Sequence, residues 1–184
     1  MKTKKLFPAF LCTMSIALFA SCDKLKDASV SEQKSIKIEV ETEVKEGVVT
    51  YSLLRTGEVN IFSGTANVSL SDLPELKGFD LSALSSVTVT NVTVGTSCTE
   101  KGDYYAENIQ LQSTGASATV SSVVIGESVS NNSEVNTFVQ TVLTNLVKGN
   151  TVPISISGTT NLKPSGKKII YTLNIDAKWT SDIF

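Results

Sequence analysis

The residues of this chain that could do chemistry are mainly carboxylates. They form two loose groups, one with Asp72, Glu75 and Asp80 and the other with Glu100, Asp103 and Glu107. Two carboxylates facing each other across a cleft can hydrolyse a glycosidic bond, and several in one loop can bind calcium. Neither group has the alternate spacing of a calcium loop. We therefore expect solvated loop charges and no metal or other cofactor, and we keep an unusual carboxylate-dependent hydrolase as an alternative.

Other catalytic residue types are scarce. The chain has no histidine, which excludes Ser-His-Asp and Cys-His nucleophiles and histidine-based zinc sites. Cys98 has only Lys101 as a nearby cation in sequence, and a reactive thiolate needs such a neighbour or a helix N-terminus. We expect Cys98 to be an incidental loop or partly buried residue, and we predict that the protein is not an enzyme.

Four aromatic residues could line a sugar-binding face. They are Tyr104, Tyr105, Tyr171 and Trp179. Packing in the core or at an edge is the expected role of each, because aromatic side chains bury large apolar areas.

The N-terminus has the features of a secretory leader. Three lysines precede the apolar run Leu6–Ala20, which is followed by Ser21 and Cys22. A positive start, a short apolar core and small residues at the exit are typical of a signal peptide, and about 20 apolar residues would be needed to span a bilayer. We predict a signal peptide over residues 1–21.

The end of this leader, Leu18-Phe19-Ala20-Ser21-Cys22, resembles the lipobox of bacterial lipoprotein signal peptides. The resemblance implies that the leader is removed and that Cys22 carries the lipid. The protein would then be anchored in the bacterial cell envelope, with the outer membrane as the expected location and the side left open. An ordinary secretory signal with Cys22 near the cut by chance is the alternative.

Removal of the leader changes the charge of the chain. Without the three leader lysines, 16 basic residues against 18 acidic ones become 13, and the net charge falls from −2 to about −5. No basic patch for nucleic acid remains, and membrane attachment would depend on the lipid. The polar residues 22–35 predict a flexible tether, with Asp23–Ser35 reaching about 45 Å if extended. Residues 36–184 predict one β-rich domain.

Alternating apolar and polar residues predict most of this domain as strands. The predicted strands are Ile36–Lys45, Val48–Leu54, Glu58–Phe62, Thr65–Leu70, Val87–Val94, Tyr104–Gln112, Ala116–Ile125, Val152–Thr160 and Ile169–Trp179. Ser71–Ser86 and Gly95–Asp103 are predicted loops. The apolar phase slips within Val87–Val94, which indicates a β-bulge near Asn91.

A helix is predicted at about residues 133–148. Seven apolar residues from Val135 to Val147 form one stripe at helical spacing. Asn131 and Glu134 resemble a capping pair, and Lys148-Gly149 is a stop signal. The predicted fold is α+β and predominantly antiparallel β, either sandwich-like or a sheet with one covering amphipathic helix. A parallel doubly wound sheet is excluded by the element order.

The segment Phe138–Trp179 also resembles the end of the late-embryogenesis-abundant type 2 domain. The similar parts are the apolar helix, Gly149-Asn150-Thr151-Val152-Pro153 and the strand reaching Ser157-Gly158-Thr159. The resemblance implies a β-sandwich with one helix and a non-catalytic role. We predict a lipid-anchored lipoprotein with a binding or structural role, whose protein, glycan or lipid ligand stays open. A carrier of apolar ligands, with a cavity closed by the helix, is the alternative.

Overall fold

The computed structural model describes residues 29–47, 59–130, 132–164 and 166–182. The leader, Cys22 and the predicted strand Val48–Leu54 lie outside the described residues. So does Asn131.

Long strands dominate the described part of the chain. The strands are β1 (Ser29–Lys45), β2 (Asn60–Val68), β3 (Leu84–Cys98), β4 (Tyr105–Ser113), β5 (Ala116–Val124), β6 (Ser128–Ser130), β7 (Val152–Thr160) and β8 (Lys168–Asp182). The α-helix α1 spans Ser133–Val147, and three short 3₁₀ turns, at Leu70–Asp72, Pro74–Leu76 and Leu81–Ala83, connect β2 to β3.

All eight described strands belong to one antiparallel, nearly closed sheet in the order β5-β4-β7-β2-β1-β8-β3-β6. The predicted fold class, predominantly antiparallel β with one covering helix, is confirmed, in its single-sheet form. β1 and β8 pair along almost their whole lengths, from Ser29 opposite Asp182 to Glu43 opposite Lys168. This long central pair fixes the height of the barrel.

The prediction of a flexible tether is wrong for Ser29–Ser35. These residues are the first part of β1, and they pair with Asp176–Asp182 of β8. Their side chains are exposed or partly exposed, so they lack the apolar alternation that marks a half-buried strand. Pairing through the backbone leaves no such mark in the sequence, because every residue other than proline carries one donor and one acceptor on its main chain.

Other strand limits also differ from the prediction. The expected strands Glu58–Phe62 and Thr65–Leu70 are one strand, β2, which runs through Gly64. β3 starts earlier and continues to Cys98, so the first part of the predicted loop Gly95–Asp103 is strand. The β-bulge near Asn91 is confirmed, because the pairing of β3 with β8 shifts between Val89 and Asn91.

The helix is confirmed almost to the residue. Asn132 is its N-cap, one position after the expected Asn131, and its side-chain oxygen accepts hydrogen bonds from the backbone N–H groups of Glu134 and Val135. Gly149, with φ of +80°, follows the last turn in the left-handed conformation that glycine adopts most easily. The apolar stripe faces the barrel, and six of its seven residues are buried, with Val147 partly buried.

One continuous core fills the inside of the sheet. Its largest fully buried side chains include Trp179, Tyr171, Phe62 and Phe138. The rings of Phe62 and Tyr171 stack with 5.3 Å between their centroids. The stacked pair joins β2 and β8, the two strands that flank β1, and such a pair adds about 0.5–1.5 kcal/mol beyond the area that it buries.

The backbones of β1 and β2 approach closely at Gly64. A Cβ atom built there would lie 2.0 Å from the carbonyl oxygen of Glu41 and 2.8 Å from Cα of Thr42. Gly95 of β3 is a useful contrast, since its Cβ would meet nothing nearer than 3.8 Å and its φ is not positive. Of these two strand glycines, only Gly64 lies where an added methyl group would clash with a neighbouring backbone.

We expect Gly64→Ala to lower the free energy of unfolding by about 1–3 kcal/mol, because a methyl group is forced against the β1 backbone. Gly95→Ala is the matched control and should change it by less than about 0.5 kcal/mol. Urea unfolding of both variants measures the difference. Equal midpoints for the two variants would contradict the close approach at Gly64.

Candidate functional site

The helix α1 covers the gap between the two edges of the sheet, where it contacts β3 on one side and β5 on the other. We call this gap the seam. On one side of the seam, the Gln140 side chain contacts the β3 backbone next to the bulge. Its oxygen Oε1 accepts a hydrogen bond from the N–H of Val89, and its nitrogen Nε2 donates to the carbonyl oxygen of Val87, both at 2.8 Å. One amide side chain therefore replaces a missing strand neighbour.

The other side of the seam is the edge of β5, and the start of α1 holds it in the same way. The N–H of Thr119 donates to Oε2 of Glu134 at 3.3 Å, and Nδ2 of Asn132 donates to the carbonyl oxygen of Thr119 at 3.2 Å. Further along the helix, Nδ2 of Asn145 donates to the carbonyl oxygen of Thr114 at 3.5 Å. Both strand edges thus form hydrogen bonds with side chains of one helix.

Near the end of β3, direct hydrogen bonds between β3 and the segment that follows β5 close the seam. The N–H of Thr96 in β3 donates to the carbonyl oxygen of Glu127, and the N–H of Gly126 donates to the carbonyl oxygen of Thr96, at 3.1 and 3.0 Å. The hydroxyl of Thr96 also donates to the carbonyl oxygen of Val124 at 3.3 Å. The sheet is therefore joined directly at one end and through α1 along the rest.

Among the described residues, four buried side-chain polar atoms have no hydrogen-bond partner, and two of these four belong to fully buried core residues. They are the hydroxyl of Tyr171 and Nε1 of Trp179, both from fully buried side chains of β8. Burial raises the pKa of the Tyr171 hydroxyl well above its usual range. The two residues are eight positions apart on one strand, or about 26 Å, so they mark two separate places in the interior.

The structure separates the two carboxylate groups. Asp72, Glu75 and Asp80 lie before the start of β3, and Glu100 and Asp103 lie beyond its end, about 45 Å away along a 15-residue strand. A carboxylate of the first set therefore cannot act with one of the second set across a single cleft. Glu107 lies on β4.

The described contacts of these carboxylates stabilise turns and loops. Hydrogen bonds from Ser69 lower the pKa of Asp72, and hydrogen bonds from Ser82 lower the pKa of Asp80. Both carboxylates therefore act as caps for 3₁₀ turns. Glu100 forms an ion pair with Lys167 at 3.3 Å. Among the described residues, no group of three or more acidic or cysteine side chains is placed to hold a metal ion.

The remaining candidates are distributed between the core and one end of the barrel. Tyr171 and Trp179 are fully buried, so they cannot line a sugar-binding face, and their expected role in the core is confirmed. Tyr104 and Tyr105 are partly buried at the β3–β4 connection. Cys98 is partly buried, as expected, and its thiol donates to the carbonyl oxygen of Glu100 at 3.4 Å.

The outside of the barrel has two walls of different chemistry. β1 and β8 carry eleven of the twelve charged residues of the described strands, whereas β2, β3, β5, β6 and β7 contain none. β4, between β5 and β7, has Glu107 as its one charged residue. The exposed residues of this uncharged wall are mainly hydroxyl and amide side chains, such as Ser63, Thr65 and Gln110. The strand order thus places nearly all charges of the described strands on the adjacent pair β1 and β8.

A comparison of the chain with protein families, with curated proteins and with solved structures finds no match. The resemblances to lipoprotein leaders and to the late-embryogenesis-abundant type 2 domain therefore stay predictions. None of the described helices has the length and apolar character needed to cross a membrane.

We expect Gln140→Ala to lower the free energy of unfolding by about 1–3 kcal/mol, since it leaves the Val87 carbonyl and the Val89 N–H without their partner. Thr141→Ala, the next helical position, is the control and should change it by less than about 0.5 kcal/mol. Chemical unfolding gives the two values. Hydrogen exchange at the Val89 amide should also speed up in Gln140→Ala alone, and unchanged exchange would contradict the role of this side chain.

Proposed function

We propose that this protein is a lipid-anchored lipoprotein of the bacterial cell envelope with a non-catalytic binding or structural role. The leader ending in Ala20-Ser21-Cys22 is the observation that carries the anchor. The non-catalytic role is supported by the described contacts of Asp72, Asp80 and Glu100. Their carboxylates cap turns or pair with a lysine, and these contacts stabilise the fold.

The uncharged wall is the surface best suited to a partner. Its hydroxyl and amide groups can donate and accept hydrogen bonds, and no charge on β2 or β7 has to be desolvated when a partner covers it. Thr65 and Ser155 already form a hydrogen bond of 2.8 Å across these two strands, so part of this surface is ordered in advance. A neutral glycan or an uncharged protein surface fits this chemistry.

The anchor is tested by growing bacteria that express the full chain with a labelled fatty acid. We expect label on the wild-type protein and none on Cys22→Ala, because the thioether at this cysteine holds the lipid. Cys98→Ala is the matched control and should keep the label. Label that persists in Cys22→Ala would contradict the proposed acylation.

A carrier of apolar ligands is the second candidate, and the unpaired hydroxyl of Tyr171 favours it. A buried polar group without a partner costs about 1–3 kcal/mol, so a bound molecule that offers an acceptor there would recover that energy. The seam supplies an entrance, because α1 is attached to β3 and β5 partly through side chains that can separate without unfolding a strand.

Native mass spectrometry of the protein purified from membranes tests this candidate. We expect a mass above that of the acylated chain, and we expect Tyr171→Phe to reduce this extra mass several-fold while Tyr104→Phe does not. Tyr171→Phe should also unfold at higher urea concentration once ligand is removed, because the unpaired hydroxyl is gone. An acylated chain with no added mass would end the carrier hypothesis.

A further inference from the structure

The start of β1 lies close in sequence to the proposed site of acylation. Seven residue steps separate Cys22 from Ser29, the first residue of β1, and such a segment reaches at most about 25 Å. A tether through Ser35 would have reached about 45 Å. The pairing of Ser29–Ser35 with β8 therefore shortens the available connection by roughly half.

The same end of the barrel contains the turns that connect β2 to β3. β3 begins at Leu84 beside Ser181, one residue from the partner of Ser29 in β8, so these turns lie next to the start of β1. We call the surface formed here by Val30, Lys34, Lys77, Gly78 and Phe79, together with the carboxylates of Glu32 and Asp80, the proximal end. It has an open depression of about 310 Å³.

The proximal end has side chains suited to a lipid surface. Val30 is 57% exposed, the largest fraction among the exposed large apolar residues described. The ammonium group of Lys34 lies 4.4 Å from the centre of the Phe79 ring, and Lys77 is exposed beside it. A partly exposed ring with lysines around it can contact the headgroup region while the charged ends of the lysines stay in water.

Exposed apolar residues alone do not identify the proximal end as the one that faces the membrane. Ile61 and Val124, 48% and 47% exposed, lie toward the opposite end of the barrel, near the end of β1 and the end of β3. That distal end is about 50 Å from Ser29 along the 17 residues of β1, which is twice the reach of the connection. The short connection therefore decides which end lies near the lipid.

Resting on the proposed acylation of Cys22, we propose that the barrel stands on its proximal end, with Val30, Lys77 and Phe79 against the surface of the membrane that holds the lipid. The distal turns then point away from the bilayer, and the uncharged wall stands roughly perpendicular to it. The proximal end thus contacts the headgroup layer of that membrane, and the lipid on Cys22 keeps the protein in this position.

Two lysines at opposite ends of β3 provide matched probe sites. Lys77 lies before this strand and Lys101 after it, and both are exposed. In the acylated full-length protein with Cys98→Ser, a fluorophore is attached to Lys77→Cys or to Lys101→Cys. Each protein is placed in vesicles of phosphatidylethanolamine and phosphatidylglycerol in which some headgroups carry a nitroxide quencher.

We expect quenching at position 77 to be several-fold stronger than at position 101. Equal quenching at both positions, as for a barrel lying on its side, would overturn the proposed orientation, and so would stronger quenching at position 101. Inserting about 20 Gly and Ser residues after Asp27 should reduce the signal at position 77 toward that at 101. A signal at position 77 that survives this insertion would overturn the role of the short connection.

Mass spectrometry of the N-terminal peptide separates the two proposals. Acylated Cys22 together with equal quenching overturns the orientation alone. A peptide without acyl chains overturns the proposed anchor, and the orientation with it.

Discussion

The structure depends on how the open edges of its sheet are satisfied. A strand edge presents backbone N–H and C=O groups that need partners, and a nearly closed barrel without a final strand pair would leave two such edges side by side. Here the Gln140 side chain forms hydrogen bonds with the edge of β3, and the Asn132 and Glu134 side chains form hydrogen bonds with the edge of β5. Because one helix reaches both edges, its apolar stripe is held over the core.

Apolar periodicity predicted the elements that bury a continuous face. The helix and β8 were located within a few residues, and the phase slip in β3 indicated its bulge, because each depends on side chains that the core selects. Ser29–Ser35 could not be found this way, since this part of β1 is held by backbone pairing with exposed side chains. The role of Gln140 was hidden for a similar reason, because a polar residue beside the stripe looks like any solvated helix position.

The candidate site, too, could be predicted only in part from the sequence. The sequence identified which carboxylates exist and that histidine chemistry is excluded, but the separation of the two groups follows from the length and direction of β3. The two walls of the barrel also needed the strand order. β2 and β7 are far apart in sequence, and only their pairing brings two uncharged strands together.

The pairing of β1 with β8 has a consequence for how the chain acquires its structure. Ser31 and Thr180, whose hydroxyls form a hydrogen bond, are 149 positions apart. Contacts of such long range make folding slow, since a large loop must close before they form. The ribosome synthesises β8 last of the described strands, so β1 cannot pair with β8 until synthesis is nearly complete. A chain whose longest strand pair forms last completes its fold after synthesis, which is compatible with the export that its leader predicts.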